Sequence, residues 1–287
     1  MRFGLVDAAK KDFPAQRLCK VLGVSASGYF AWKSRPACRR PREDRVLLAH
    51  VRSAFTLSNG TYGSPRMVDE RRYNGLTIGR RRVARLMRDA REWAQGSAEA
   101  AVQAHHRQPS RLADRPNLLD QDFAAAMPNQ KWGADISYVW TREGWLYLAV
   151  VIDLFARRVI GWATSDRLHK ERALSALRRA IAVRIPAVGL SHHADRGRQD
   201  CSLDYQAELR KNGRVISMSG KANGFDTAMV ETFFKTLKAE RVWRTVFRTR
   251  TEATAEIGRY IDAFYNPVRR HSALDFISPL QFERQAA

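Results

Sequence analysis

The chain has 287 residues, a formal net charge of +21 and a sequence pI near 10.7, so it has room for one large or two modest domains and is basic enough to imply a polyanionic partner. A hydrophobic content of 45% excludes global disorder, no apolar run approaches the ~18 residues of a membrane span, and the N-terminus MRFGLVDAAKKDF lacks the apolar core of a signal peptide. Cys19, Cys38 and Cys201 form no CxxC and no zinc-spaced cluster, which suits a reducing cytoplasm.

Residues 14–33, PAQRLCKVLGVSASGYFAWK, predict two short helices around a turn at Gly23, with Leu18, Val21 and Leu22 as an apolar face and Ser25 as cap of the second helix. The pattern suits a helix-turn-helix reader and equally any small helical hairpin. SRPACRRP, 34–41, is a basic, proline-broken linker. Glu43 to about Leu57 reads as a helix, NGTYGS as a turn, Pro65–Tyr73 as a helix, and Asn74-Gly75 as another turn. A third helix near Gly79–Glu92 has Thr77 as candidate cap. On it Arg80, Arg81, Arg85, Arg88 and Arg91 share a broad face opposite Val83, Leu86 and Met87. A guanidinium stripe backed by an apolar one can meet DNA phosphates; it is also the form of a solvated basic face. Residues 94–115 read as an exposed connection. More than half of the net positive charge falls in 1–134, which makes the front half the expected DNA grip, weakened steeply by salt.

From Trp132 the pattern changes. Trp132–Trp140 predicts a strand with Asp135 inside it, Thr141-Arg142-Glu143-Gly144 a hairpin turn, Trp145–Asp153 a buried strand and Arg158–Thr164 a third. Lys170–Arg184 is an amphipathic helix with Leu174, Leu177 and Ile181 inward. Val188–Ala194 is a fourth strand, delivering Asp195. A helix near Leu203–Asn212 and a strand at Arg214–Ser217 come next. The following helix carries Val230, Phe233, Phe234 and Leu237 on one face and Glu231, Lys235 and Lys238 on another, with Asp226 as candidate N-cap. A last helix, about Thr251–Tyr265, leads to NPVRRHSALDFISPLQFE, read as a basic tail. This element order is that of an RNase H-like α/β fold.

Asp135, Asp195 and Glu231 stand out because two strand-borne aspartates and a helix-borne glutamate offer hard oxygen ligands to Mg²⁺. Two such ions about 3.5–4 Å apart clamp the attacking and leaving oxygens of a phosphodiester. Lys235 and Lys238, beside Glu231, are then placed to meet the substrate's phosphates. His105-His106 and His192-His193 are adjacent pairs that cannot easily chelate one metal; the first reads as linker, the second as positioning the turn before Asp195.

Thirty-five residues separate Asp195 from Glu231. With the words KWGADISYV, GWLYLAVVIDLFARRVIGWA, HHADRGRQ, AMVETFFKTLKAE, YNPVRRHSAL and SPLQFE, this interval resembles the DDE integrase core of bacterial insertion-sequence transposases. The nearest group is the IS-three-type, in its second reading-frame product. TYGSPRM and RRVARLMRDA resemble the helix-turn-helix-like segment that precedes that core. The resemblance implies an RNase H-like catalytic core, a mixed five-stranded sheet with flanking helices, behind an all-α region. It divides the chain into a short helical segment (1–41), a DNA-binding region (42–93), a linker (94–124) and a catalytic domain (125–287). It implies metal-dependent cleavage and strand transfer of insertion-sequence ends, with Asp135, Asp195 and Glu231 as the triad holding two Mg²⁺ or Mn²⁺ ions. Lys238 matches a basic position that holds the DNA end. The expected partners are terminal inverted repeats, target DNA, further copies of the chain on DNA, and a first-frame helix-turn-helix protein joined by translational fusion. The expected location is cytoplasmic and nucleoid-associated, away from membranes.

Two stretches depart from the family's wording, the second of them at Thr227 among others. DRGRQDCS, with Arg198, Asp200 and Cys201, stands where relatives commonly read DRGSQYTS; GFDTA stands where they read CYDNA, and Thr227 replaces the usual Asn. Two readings therefore stand, an active polynucleotidyl transferase and a decayed remnant that only binds DNA. A nuclease of RNase H type acting on hybrids is a third, against which the basic helical front half argues.

Overall fold

The computed structural model describes residues 2–35, 39–89, 122–167, 170–194, 203–218 and 228–286. Asp195, the cap candidate Asp226, Arg91, His105-His106 and the departures at Arg198, Asp200, Cys201 and Thr227 lie outside them. The chain divides into two compact units, Met1–Ser53 and Ala54–Ala287. Among the described residues no helix is long and apolar enough to cross a membrane.

The first unit holds α1 (Arg2–Ala9), α2 (Ala15–Val21) and α3 (Ala26–Ser34) around a core of Val6, Cys19 and Tyr29. The Ser25 hydroxyl caps α3 by accepting from Gly28 N at 3.2 Å, as its sequence predicts. Two differences appear. α1 was not anticipated, because only Val6 on it is buried and no apolar stripe marks it. Val21, expected on the apolar face of α2, is exposed, and Cys19 takes the buried position.

α4 (Arg39–Leu57) runs from the first unit into the second and begins four residues before the predicted Glu43. In the second unit α5 (Ser64–Tyr73), with Pro65 in its first turn, packs against α6 (Arg80–Asp89) over buried Tyr62, Met67, Ile78, Val83 and Leu86.

Beyond these helices is a five-stranded sheet of β1 (Lys131–Thr141), β2 (Gly144–Asp153), β3 (Arg158–Ser165), β4 (Ser191–Ala194) and β5 (Val215–Met218), in the order β3-β2-β1-β4-β5. β1 to β3 form an antiparallel meander, and β4 and β5 run parallel to β1. β2 reads as a continuous apolar run because it is covered on both faces. β4 is shorter than predicted: Gly189 takes φ +96, the turn of a chain just entering the sheet, and Val188 is exposed.

Strand alternation assigns the two faces. Trp132, Ala134 and Ile136 of β1 pack with Ala176 and Ala180 of α7 (Lys170–Arg184), beside α8 (Leu203–Lys211). Gly161 of β3 lets α7 come close, since a Cβ there would lie 2.2 Å from the Ala176 carbonyl oxygen. The opposite face takes α9 (Ala228–Glu240), which buries Val230, Phe233, Phe234 and Leu237 as its period predicts. Here Gly133 permits the approach; a Cβ would meet Val230 Cγ2 at 2.9 Å.

α10 (Arg250–Gly258) runs on through a π-helical stretch, Arg259–Tyr265, that buries Tyr260, Ile261, Phe264 and Tyr265. The residues that follow are no tail. Asn266 exchanges hydrogen bonds with the Val159 backbone at 3.0 and 2.9 Å. Arg269, Arg270 and His271 are buried, and α11 (Pro279–Ala286) is fastened by Arg158 donating to Glu283 at 2.6 Å. The reading of a basic tail is corrected: its cations are spent on internal carboxylates, Arg269 on Glu240 and Arg270 on Glu70.

Candidate active site

Asp135 lies in the middle of β1, opposite Val150 of β2. Alternation puts it on the same sheet face as Gly133, the face that receives α9. It is half-buried, and its Oδ1 accepts from Ile136 N at 2.7 Å. β4 pairs with β1 only as far as Ala134↔Ala194. Asp135 is the next residue of β1 after the last pair described in that ladder.

Glu231 is in the first turn of α9, with 31% of its side chain exposed. The buried stripe of Val230, Phe233, Phe234 and Leu237 fixes the helix rotation, which turns Glu231, Lys235 and Lys238 to one flank. Lys235 Nζ stands 3.6 Å from Glu231 Oε2 and is itself 78% exposed, so this pair contributes little to stability. Lys238 is more enclosed, with its Nζ 5.2 Å from the centre of the Tyr138 ring on β1. Burial pushes its ammonium below the ordinary lysine range, while the nearby Asp135 carboxylate pulls it back up. α9 and Asp135 thus meet through Lys238. Among the described residues no group of three His, Cys, Asp or Glu is placed to hold an ion; Asp135 and Glu231 are two of the three carboxylates expected, and Asp195 lies outside.

His192 and His193 point to opposite sides of β4. His192 Nε2 shares a hydrogen bond with Tyr205 of α8 at 2.8 Å, and His193 Nδ1 one with Ser217 of β5 at 2.9 Å. Burial, aided by its neighbour His193, pushes the His192 pKa down to about 3, so it is a neutral strut between β4 and α8. Sequence reasoning gave no place to Tyr138, the ring that Lys238 approaches, or to the contacts behind it on the α7 side of the sheet. Arg172 of α7 is buried with its guanidinium 5.1 Å from the centre of the Tyr147 ring, and Tyr147 pairs across the sheet with Tyr138. The available signal was two tyrosines at facing hairpin positions.

α6 packs mainly on α5, and the structure does not gather its arginines around Asp135. Arg80, Arg81 and Arg88 are exposed, whereas Arg85 pairs with Asp89 at 3.3 Å. Val83 and Leu86 are buried on the other side of the helix.

Comparison with known proteins adds the following. Integrase core domain families match residues 125–223 and 231–286, and an HTH-like domain family matches 41–91. The chain is 39% identical over 270 residues to the "Insertion element IS600 uncharacterized 31 kDa protein" of Shigella sonnei, covering 93% of this chain and 98% of that one. It is 39% identical over 291 residues to "Transposase InsF for insertion sequence IS3A" of Escherichia coli (strain K12), covering 99% of both. Among solved structures it is similar to the HTLV-2 integrase catalytic core domain in complex with magnesium, at 15% identity and TM-score 0.42, covering 55% of this chain and 97% of that one.

Proposed function

The chain belongs to the IS3-type insertion-sequence transposases, DNA transposases of the DDE polynucleotidyl transferase class, and on that premise we propose that Asp135, Asp195 and Glu231 hold the divalent ions of its strand-cleavage and strand-transfer site. The observation that carries this is the shared sheet face: α9 packs on the side of β1 that bears Gly133 and Asp135, and the Asp135 carboxylate acts on Lys238 of the α9 flank that bears Glu231. Asp195 directly follows Ala194, the last residue of β4, in sequence, and on this reading it completes the set.

The donors suit the proposed metal. Carboxylate oxygens are the ligands that Mg²⁺ or Mn²⁺ prefers, and the nearby imidazoles are committed to Tyr205 and Ser217. A bound pair of such ions supplies an acidified oxygen nucleophile and charge neutralisation at the scissile phosphodiester. The chain's own cations do the rest. Lys235 and Lys238 meet the phosphates of the DNA end, and Arg80, Arg81, Arg85 and Arg88 hold the flanking duplex by its backbone. The DNA is the element's terminal inverted repeats and the target, with copies of the chain assembled on paired ends and the first-frame helix-turn-helix protein joined by fusion. The site of action is the nucleoid.

Asp135→Asn and Glu231→Gln each remove one anionic ligand. With each ligand set worth several kcal/mol of transition-state stabilisation, Mg²⁺-dependent nicking of an end-bearing duplex should fall by on the order of a thousandfold, while duplex binding stays near wild type. Normal nicking by either variant would remove the assignment.

A further inference from the structure

α9 has a second flank. At ~100° per residue, Thr232 and Thr236 fall on the side away from Glu231 and Lys238. They border a cavity of about 90 Å³ whose wall also includes Arg66 of α5, Arg157 from the turn between β2 and β3, and Arg269 and His271 of the C-terminal segment. That volume exceeds the ~10–15 Å³ a single water needs, so a small multi-atom group fits.

Three guanidiniums line this space against one nearby carboxylate. Glu240 is gripped twice by Arg269, at 2.8 and 2.6 Å, and only distantly by Arg66, at 3.4 Å. Among the described residues no carboxylate stands within ion-pair distance of Arg157. Arg157 also holds φ +56, a left-handed conformation that a long side chain adopts at a cost of order 1 kcal/mol or more. His271 adds no charge. Burial and then the fields of Arg269, Arg66 and Arg157 hold its pKa down to about 2. Half-buried cations in excess of their counter-ions are costly. The planar forks of arginine match an oxyanion, and a tetrahedral one has oxygens enough for several forks and the threonine hydroxyls together.

We propose that this cavity binds a phosphate group, and, resting on the transposase reading above, that the group is a backbone phosphate of the bound DNA. The strand engaged by Glu231 and the lysines on one flank of α9 is then held on the other flank too, about one helix diameter, ~10 Å, away. An anion here also ties α5 to α9, to the β2–β3 turn and to the C-terminal segment, so it stabilises the protein without any metal.

The first test is thermal unfolding of the full chain in chelator, with sodium phosphate against sodium chloride at matched ionic strength. The wild-type midpoint should rise saturably with phosphate. Arg157→Gln should abolish most of that rise; Arg284→Gln, an exposed cation on α11, should keep it. If Arg157→Gln does not fold, Arg66→Gln is read in the same way. An equal phosphate response in wild type and Arg157→Gln overturns the site. The second test separates the sources of phosphate. If the group belongs to DNA, Arg157→Gln lowers the slope of log K against log salt for an end-bearing duplex by about 0.9. A lost phosphate response with an unchanged slope assigns the cavity to free phosphate and overturns the DNA half of the proposal. Asp135→Asn must keep the phosphate response, so a failure of the triad assignment and a failure of this site give different results.

Discussion

At the scale of single residues, the site depends on side chains whose partners differ on the two sides of one strand. Asp135 faces α9 because Ala134 and Ile136 are claimed by the α7 core, and Lys238 is drawn towards it despite the cost of burying an ammonium. His192, three residues before Asp195, works through its neutral form. Its folded pKa of about 3 lies below the unfolded value of 6.5. The stability this residue supplies is therefore complete above pH ~6.5 and is lost as pH falls towards 3, because the unfolded chain takes up the proton first. The slope for one such group is at most about 1.4 kcal/mol per pH unit. Denaturant unfolding from pH 7 to 4 should show His192→Gln flattening the wild-type slope by up to that amount. An identical slope would mean that His192 already titrates normally in the folded protein.

At the scale of elements, the two close approaches to the sheet serve different ends. In Gly133→Ala the new methyl would lie 2.9 Å from Val230 and 3.2 Å from Leu154, and α9 must lift with Glu231 one residue away. Overpacking of this kind costs ~1–3 kcal/mol, and a displacement near 1 Å at a reacting centre costs about 10²-fold in rate. In Gly161→Ala the obstacle is the Ala176 backbone oxygen at 2.2 Å, which cannot swing aside, so the stability loss should be the larger. It moves α7, however, and leaves the α9 flank proposed to be catalytic in place. Urea unfolding with single-turnover nicking, corrected for folded fraction, should show a rate defect in the first variant and little in the second. Equal rates per folded molecule would contradict the role given to Gly133. The same elements show what was legible. α9 could be read outright, since Val230, Phe233, Phe234 and Leu237 keep helical period and Glu231 falls beside them. Asp135 could be read from its β-branched and aromatic neighbours. The segment after Tyr265 could not, because its burial rests on Arg269 reaching Glu240 and Arg270 reaching Glu70, 200 positions apart in the chain. Local pattern shows charge there, and long-range pairing hides it. α1 was illegible for the opposite reason, having one buried residue and no stripe.

At the scale of the molecule, a net charge of +21 is distributed between structure and surface. Arg158, Arg184, Arg269 and Arg270 are taken up by Glu283, Glu240 and Glu70 inside the second unit. Tyr62 accepts from Arg270 N at 2.8 Å and, with Arg270–Glu70, fastens α5 to the C-terminal segment. These cations are largely neutralised by internal carboxylates, so most of the electrostatic affinity must come from unpaired ones. On α6 the exposed set is Arg80, Arg81 and Arg88, since Arg85 is shared with Asp89. Each phosphate contact contributes about 0.9 to the slope of log K against log salt. The triple variant Arg80→Gln/Arg81→Gln/Arg88→Gln should therefore lower that slope by up to about 2.7 for an end-bearing duplex, and should do so equally for unrelated duplexes, because backbone contacts carry no base information. Nicking of duplex already bound at low salt should stay near wild type, since α6 packs mainly on α5 and the carboxylates are untouched. Filter binding from low to moderate salt measures the slope. A slope unchanged by removing all three charges would make the α6 stripe a solvated face and move the DNA grip elsewhere on the chain.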